Sequence, residues 1–134
     1  MMARWIALAG VLLGSAATFA FQGDQTVSII TLGDSITKGW RSGVAKEETF
    51  SAVLEKLLAS RGIKAQVTNV GIGGERTDQA LKRFEKNVAA LKPAMVTIMY
   101  GANDSYIDKG KDQPRLSKEQ FEANLNKLLE QCKK

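Results

Sequence analysis

The sequence contains no histidine, and among its 134 residues there are one cysteine, two prolines and only 7% aromatic residues. Without an imidazole, the chain lacks the side chain that most often serves as the general base for a serine nucleophile. The lone cysteine, Cys132, cannot form an internal disulfide, and we interpret it as an incidental free thiol. A metal site built from cysteine and histidine is excluded as well. We therefore expect neither a metal nor a cofactor.

A strong charge of one sign is also missing. The chain carries 19 Lys or Arg residues against 14 Asp or Glu residues, a net charge of +5. Positive and negative residues alternate along residues 82–86 and 118–122, as on solvated helix faces, and no basic stripe interleaved with aromatic residues occurs. Nucleic acid is therefore not expected among the partners.

A membrane-spanning apolar run is missing too, since the N-terminal run over residues 5–13 falls short of the ~20 residues that a spanning helix needs. Arg4 before this run and a small-x-small site at residues 18–20 are typical of an export signal. We predict a signal peptide over residues 1–20 and one domain over residues 21–134. The mature protein would be secreted or periplasmic, without stable membrane insertion. A retained anchoring helix is the alternative.

Strand-like and helix-like segments alternate along the rest of the chain. Residues 27–32, 65–70 and 95–100 are short apolar runs with β-branched side chains, which predicts three strands. Strands that alternate with helices of moderate length are typical of a parallel sheet with both faces covered and right-handed crossovers. The sequence therefore predicts an α/β fold.

Three amphipathic segments supply the predicted helices. The third begins with a capping box, in which Ser117 is the N-cap and Gln120 its partner. The first ends at Arg61-Gly62, a typical helix stop. Apolar residues at three- and four-residue spacing mark the three helices: Phe50, Val53, Leu54, Leu57 and Leu58, then Ala80, Leu81, Phe84, Val88 and Leu91, then Phe121, Leu125, Leu128 and Leu129.

A polar tripeptide, Gly33-Asp34-Ser35, follows the first predicted strand directly. A tight turn here would expose the Ser35 hydroxyl as a nucleophile, and the backbone N–H of Ser35 could donate to a developing oxyanion. The tripeptide alone is a weak signal. Its structural interpretation is a strand-to-helix turn in which Asp34 or Ser35 caps the helix.

Two more polar blocks follow the second and third strands. Gly71, Gly73 and Gly74 would let the backbone approach a ligand and donate an N–H to an oxyanion, although a flexible loop is the simpler interpretation. A phosphate-binding loop is disfavoured because its glycine and lysine spacing is missing. Asn103 could supply a side-chain N–H, whereas Asn103 and Asp104 could instead form an Asx turn or a helix cap. Parallel strands bring all three blocks to one sheet edge.

Together the three blocks resemble those of the SGNH hydrolases, the GDSL-type esterases and lipases. Gly33-Asp34-Ser35 is similar to the first block of this family, Asn69-x-Gly71-x-Gly73-Gly74 to the second, and Gly101-x-Asn103-Asp104 to the third. The resemblance implies a flavodoxin-like three-layer α/β/α fold and ester hydrolysis through an acyl-serine intermediate.

The same resemblance implies a role for each residue of the predicted site. Ser35 would be the nucleophile and an oxyanion donor, and Gly74 and Asn103 would complete the oxyanion hole. The supporting residues would be Gly33, Asp34 and Asp104.

The fourth block of the family, an Asp-x-x-His that supplies the general base, has no counterpart here. We interpret the chain as the N-terminal portion of such a hydrolase, truncated after the third strand and its helix, inactive as a fragment and prone to aggregate. The alternative is a non-catalytic, histidine-free α/β protein that binds a ligand or has a structural role. Asp104 and Lys38 are poor replacements, because a carboxylate of ordinary pKa is a weak base toward an alcohol.

The expected substrate is a small-molecule or carbohydrate ester. The first block, continued by Ile36 and Thr37, is similar to that of family members that act on acetylated carbohydrates or other short acyl esters. Trp40 could offer a stacking platform for a sugar, but we favour its interpretation as a plug of the local core. No apolar lid of the kind expected for a long-chain lipase is recognised in the sequence.

Overall fold

The computed structural model describes residues 25–133, so the predicted signal peptide lies outside the described residues. Within them the chain forms three strands and four helices, joined by loops with two short 3₁₀ turns at residues 46–48 and 89–91. The strands are β1 (Val27–Gly33), β2 (Ala65–Asn69) and β3 (Met95–Met99). The helices are α1 (Ser35–Lys38), α2 (Phe50–Ser60), α3 (Thr77–Asn87) and α4 (Lys118–Cys132).

The three strands form one parallel sheet in the order β2-β1-β3. Ile30 in the central strand pairs with Thr68 of β2 and with Val96 of β3. Because β1 has a neighbour on each side and helices above and below, its second half is buried, as expected for the middle strand of a parallel sheet. The predicted α/β fold with a parallel sheet is confirmed.

One face of the sheet packs against α3 and α4. Alternation along β1 directs Ile30 and Leu32 to this face, where they meet side chains of both helices. The members of this core cluster are buried together: Ile30, Leu32, Ala80, Phe84, Val88, Val96, Leu128 and Cys132. Burial raises the pKa of the Cys132 thiol, which makes it less reactive.

The opposite face of the sheet is covered by α2. Thr31 lies between the two core residues of β1 and therefore projects to this side. Its hydroxyl is 2.8 Å from that of Ser51, and both residues are buried. The sheet with α2 on one face and α3 and α4 on the other gives the predicted three-layer α/β/α arrangement.

Local signals placed most helix ends correctly. Ser117 Oγ accepts from Gln120 N at 3.2 Å while Ser117 N donates to Gln120 Oε1 at 2.8 Å, so the predicted capping box is confirmed. The stop of α2 is confirmed as well, since Arg61 is its C-terminal cap.

The prediction for the end of the second amphipathic helix is wrong. The helix stops at Asn87 and a 3₁₀ turn follows over residues 89–91. In that tighter turn Val88 stays buried but Leu91 is 52% exposed, because three residues per turn rotate Leu91 off the face that the α-helical spacing assigns to it. The chain then reverses at Lys92, whose φ is 47°.

Some apolar surface remains uncovered in the described part of the chain. On α2, Phe50, Val53 and Leu57 are 45%, 41% and 55% exposed. Their spacing places them on one helix face; we call this surface the α2 stripe. The outer edge of β3 has no paired strand within residues 25–133. No helix in this range is long and apolar enough to span a membrane.

Candidate active site

The first block forms the turn that joins β1 to α1. Asp34 is the N-cap of α1, and its Oδ1 accepts from Ile36 N at 2.9 Å, which confirms the predicted helix cap. Ser35 is the first residue of the helix and is exposed. Neither its hydroxyl nor its backbone N–H has a hydrogen-bond partner among the described residues. The turn thus presents an unpaired hydroxyl at the carboxyl end of the central strand.

The second block packs against this turn. Asn69 Nδ2 donates to Thr37 O at 2.8 Å, and Asn69 Oδ1 accepts from Gly71 N at 2.9 Å. The backbone at Gly71 passes so close that a Cβ there would lie 2.4 Å from Lys38 N. The missing side chain of Gly71 therefore serves a contact within the protein, whereas the sequence suggested an approach to a ligand. Asn69 and Gly71 together hold the second block against the nucleophile turn.

The remaining glycines of this block are open to solvent. We call residues 71–74 the glycine loop. Gly74 has a φ of 76°, a left-handed conformation that favours glycine, and no atom lies within 4 Å of where its Cβ would be. Its backbone N–H has no acceptor in the described part of the chain, so it is available to an external oxygen.

The third block connects the other two. Asn103 Nδ2 donates to Asp34 Oδ2 at 3.2 Å and to the backbone carbonyl of Glu75 at 3.1 Å. Asp34 belongs to the nucleophile turn, and Glu75 directly follows the glycine loop. The Asn103 side chain therefore links all three blocks at the edge of the sheet, although both of its N–H groups are engaged within the protein.

Asp104 caps a helix that is distant in the sequence. Its Oδ1 accepts from Thr77 N at 2.9 Å and from Thr77 Oγ1 at 2.6 Å, and Asn124 Nδ2 of α4 donates to Thr77 Oγ1 at 3.1 Å. The N-cap residue of α3 itself, Arg76, provides no side-chain acceptor. The predicted helix-cap role is confirmed for Asp104, with α3 as the helix that it caps.

Sequence reasoning missed a charged cluster behind the glycine loop. Glu75 is only 6% exposed, and it accepts from Arg83 Nε at 2.6 Å, from Arg83 Nη2 at 2.5 Å and from Tyr100 Oη at 2.5 Å. Burial raises the pKa of Tyr100, and its hydrogen bond to the carboxylate raises it further. Arg83 and Tyr100 lie 8 and 25 positions from Glu75 in the chain. No local motif has such spacing, so the cluster becomes visible only once the chain has folded.

The two candidates for a replacement base, Asp104 and Lys38, contact other groups of the protein. Asp104 is buried and bound to Thr77, whereas the Lys38 ammonium lies 5.6 Å from the centre of the Trp40 ring. Trp40 is 68% exposed, so its interpretation as a core plug is wrong. Helix α1 ends at Gly39, whose left-handed φ of 66° turns the chain, so that Trp40 follows on the exposed loop and its ring stays outside the core.

Known proteins resemble this chain in sequence and in fold. A model of the GDSL-like lipase/acylhydrolase family matches residues 31–134. An uncharacterized lipoprotein, YqeF of Bacillus subtilis, is 35% identical, covering 87% of this chain and 48% of the relative. An acetylxylan esterase of Geobacillus stearothermophilus is 30% identical, covering 78% of this chain and 53% of the relative. The chain thus spans about half the length of these relatives.

A solved structure shares the fold. AlinE4, described as an SGNH-hydrolase family esterase, superposes with a TM-score of 0.66 at 30% identity, covering 79% of this chain and 52% of that one. The chain belongs to the GDSL-like lipase/acylhydrolase family.

Proposed function

We propose that this chain supplies the nucleophile and the oxyanion hole of a serine ester hydrolase. Ser35 Oγ attacks the ester carbonyl and gives its proton to a general base. The resulting oxyanion accepts hydrogen bonds from the backbone N–H groups of Ser35 and Gly74 and from Asn103 Nδ2. The alcohol then leaves with a proton, and water hydrolyses the acyl-serine. The observation that carries this proposal is the contact of Asn103 with both neighbouring blocks.

The two bonds of Asn103 have different parts in this proposal. The bond to the Glu75 carbonyl fixes the plane of the amide. The bond to Asp34 is the longer one, at 3.2 Å, and it is the one that is exchanged for the oxyanion. An amide held by one bond and free to offer the other N–H is a preorganised donor, which contributes more to the transition state than to ground-state binding.

The general base is the missing part of the site. The 134 residues include no histidine, so Ser35 remains a neutral alcohol in this chain. Removing the base of a catalytic triad leaves only the contribution of the oxyanion donors and of substrate binding. We therefore propose that the chain by itself does not turn over esters, and that activity requires an imidazole from an Asp-x-x-His segment, as the family resemblance implies.

We infer that the substrate is an ester with a short acyl group, including acetylated carbohydrates. Trp40 supports this, because an exposed aromatic ring five residues after the nucleophile offers a sugar-stacking surface. The acetylxylan esterase among the relatives supports the same class.

We also infer a secreted or periplasmic location. The export features of residues 1–20, together with the lipoprotein relative, support it.

The test is hydrolysis of p-nitrophenyl acetate by the 134-residue chain and by a form extended with an Asp-x-x-His segment from an esterase of the family. Ser35→Ala should abolish turnover in the extended form and change nothing in the original chain. Asn103→Ala should lower kcat by about 10²- to 10³-fold with little change in KM. Ser42→Ala, an exposed serine on the loop after α1, is the control. Full activity of the extended Ser35→Ala variant would contradict the assignment of Ser35 as the nucleophile.

A further inference from the structure

We propose that Glu75, Arg83 and Tyr100 form a clasp that positions the oxyanion donors Gly74 and Asn103. This inference rests on the proposed function, since it assigns a purpose to a cluster beside that site. The three residues act through the glycine loop and through the Asn103 amide, so they are positioning residues. We call the three side chains the Glu75 clasp.

The Glu75 clasp holds both ends of the glycine loop. Arg83 Nη2 donates to Val70 O, just before the loop, at 2.7 Å. The same guanidinium binds both carboxylate oxygens of Glu75, just after the loop, at 2.6 and 2.5 Å. One side chain of α3 therefore spans residues 71–74 from outside.

The second half of the glycine loop has little else to hold it in place, whereas the first half is bonded through Gly71 N to Asn69 Oδ1 and through Ile72 N to Gly33 O. Gly73 and Gly74 have no side chains, and no protein atom lies within 4 Å of where a Cβ would be at either position. Glycine has more backbone freedom than any other residue, so a glycine-rich segment loses the most entropy when it adopts one conformation. A donor N–H on such a segment needs an external constraint if it is to be preorganised.

The clasp also reaches Asn103. Arg83 fixes the carboxylate of Glu75, and the backbone carbonyl of the same residue accepts from Asn103 Nδ2 at 3.1 Å. Tyr100, at the end of β3, donates to the same carboxylate, three residues before Asn103. The loop that carries one oxyanion donor and the strand end that leads to the other are thus tied to a single carboxylate.

Burial of this ion pair favours a positional role over a purely stabilising one. The side chains of Arg83 and Glu75 are 15% and 5% exposed. Desolvation of a buried ion pair offsets much of its attraction, so such pairs contribute little net stability, whereas their geometry is well defined. A tyrosine hydroxyl is protonated at neutral pH and can donate, and burial and the bond to Glu75 raise the pKa of Tyr100 further.

The two tyrosines of the chain provide a matched experiment. Tyr100→Phe removes one hydroxyl of the clasp. Tyr106→Phe removes a hydroxyl that has no hydrogen bond among the described residues, on a ring that is 54% exposed. Both variants keep their aromatic rings, so any difference between them reports the lost hydrogen bonds.

The first readout is amide hydrogen exchange by mass spectrometry on the 134-residue chain. In Tyr100→Phe, exchange should accelerate by about 10- to 100-fold in a peptide over residues 70–77, the effect of losing a hydrogen bond to a charged group. That peptide includes the bonded amides of Ile72 and Glu75. Exchange in β1 should not change, and Tyr106→Phe should leave both segments unchanged. Equal acceleration in β1 would show a general structural role, and unchanged exchange in 70–77 would also overturn the proposal.

The second readout is the split between kcat and KM in the form extended with an Asp-x-x-His segment. Tyr100→Phe should lower kcat about tenfold through misplaced donors and leave KM within about twofold, while Tyr106→Phe changes neither. A normal kcat in Tyr100→Phe would overturn the proposal. Ser35→Ala separates the two levels of inference: if it leaves hydrolysis intact, the proposed function fails, and the exchange data still decide whether the clasp holds the loop.

Discussion

The helices on the two faces of the sheet carry similar apolar side chains with opposite burial. On the face of α3 and α4, Phe84 and Leu128 are 1% and 0% exposed, whereas on α2 Phe50 and Leu57 are 45% and 55% exposed. Each of these helices carries an amphipathic pattern. The difference shows that such a pattern identifies which face of a helix is apolar, and that a covering layer decides whether the face contributes to the core.

Truncating one phenylalanine on each face should have the largest effect on this comparison. Phe84→Ala should reduce the free energy of unfolding by about 3–5 kcal/mol, the usual cost of deleting a buried aromatic side chain. Phe50→Ala should cost roughly 1 kcal/mol or less, because half of its surface already meets water. Proteolysis rates at low protease concentration measure both, since they follow the population of the open form. Equal losses would contradict the assigned difference between the faces.

The α2 stripe should make the chain associate. Residues 21–134 should bind a hydrophobic dye and self-associate, because a contiguous exposed apolar surface favours self-association. Substituting Val53→Lys and Leu57→Lys together should reduce dye binding severalfold and shift the protein toward monomer in sedimentation. Lys56→Ala, on the exposed surface of the same helix, is the control. An unchanged chain that is monomeric and binds no dye would contradict this account of the stripe.

The face covered by α3 and α4 also anchors the site, through Thr77 at the start of α3. Thr77→Val keeps the shape of the side chain but leaves Asp104 with one donor fewer, so it should cost about 1–2 kcal/mol. Thr68→Val on β2 is the matched change at a hydroxyl for which the described residues offer no partner, and it should stay within about 0.5 kcal/mol. Unfolding measured in the same proteolysis assay compares the two. If the two substitutions lower the free energy of unfolding equally, the hydrogen bond from Thr77 to Asp104 does not stabilise the protein.

The smallest effect belongs to a loop ion pair outside both faces. The pair consists of Arg115 and Asp108. The hydrogen bond that Arg115 donates lowers the pKa of the Asp108 carboxyl, and the attraction between the two charges lowers it as well. A lowered pKa means that the contribution of the pair is present above the ordinary carboxyl pKa and is lost as pH falls through the lowered value. An NMR titration of the carboxyl carbon should show this shift, and Arg115→Gln should abolish it. An unshifted Asp108 would mean that the pair is absent in solution.

Local signals predicted much of this molecule from sequence. Strand runs, the capping box at Ser117 and the three blocks each depend on residues close in the chain, and the parallel order brings the blocks to one edge. The Glu75 clasp depends on residues up to 25 positions apart, and the exposure of Trp40 depends on the path of a loop. Both are decided by packing, which periodicity does not report. The roles of Ser35, Gly74 and Asn103 stay predictions.

The most direct test of the central claim is to trap the acyl-enzyme. The form extended with an Asp-x-x-His segment is mixed with p-nitrophenyl acetate, quenched in acid within one turnover, and digested for mass spectrometry. We expect one acetyl group on the peptide that contains Ser35, and none in the Ser35→Ala variant. Turnover with the acetyl group on another residue, or with no acyl-enzyme and full activity of Ser35→Ala, would contradict the assignment of Ser35 as the nucleophile.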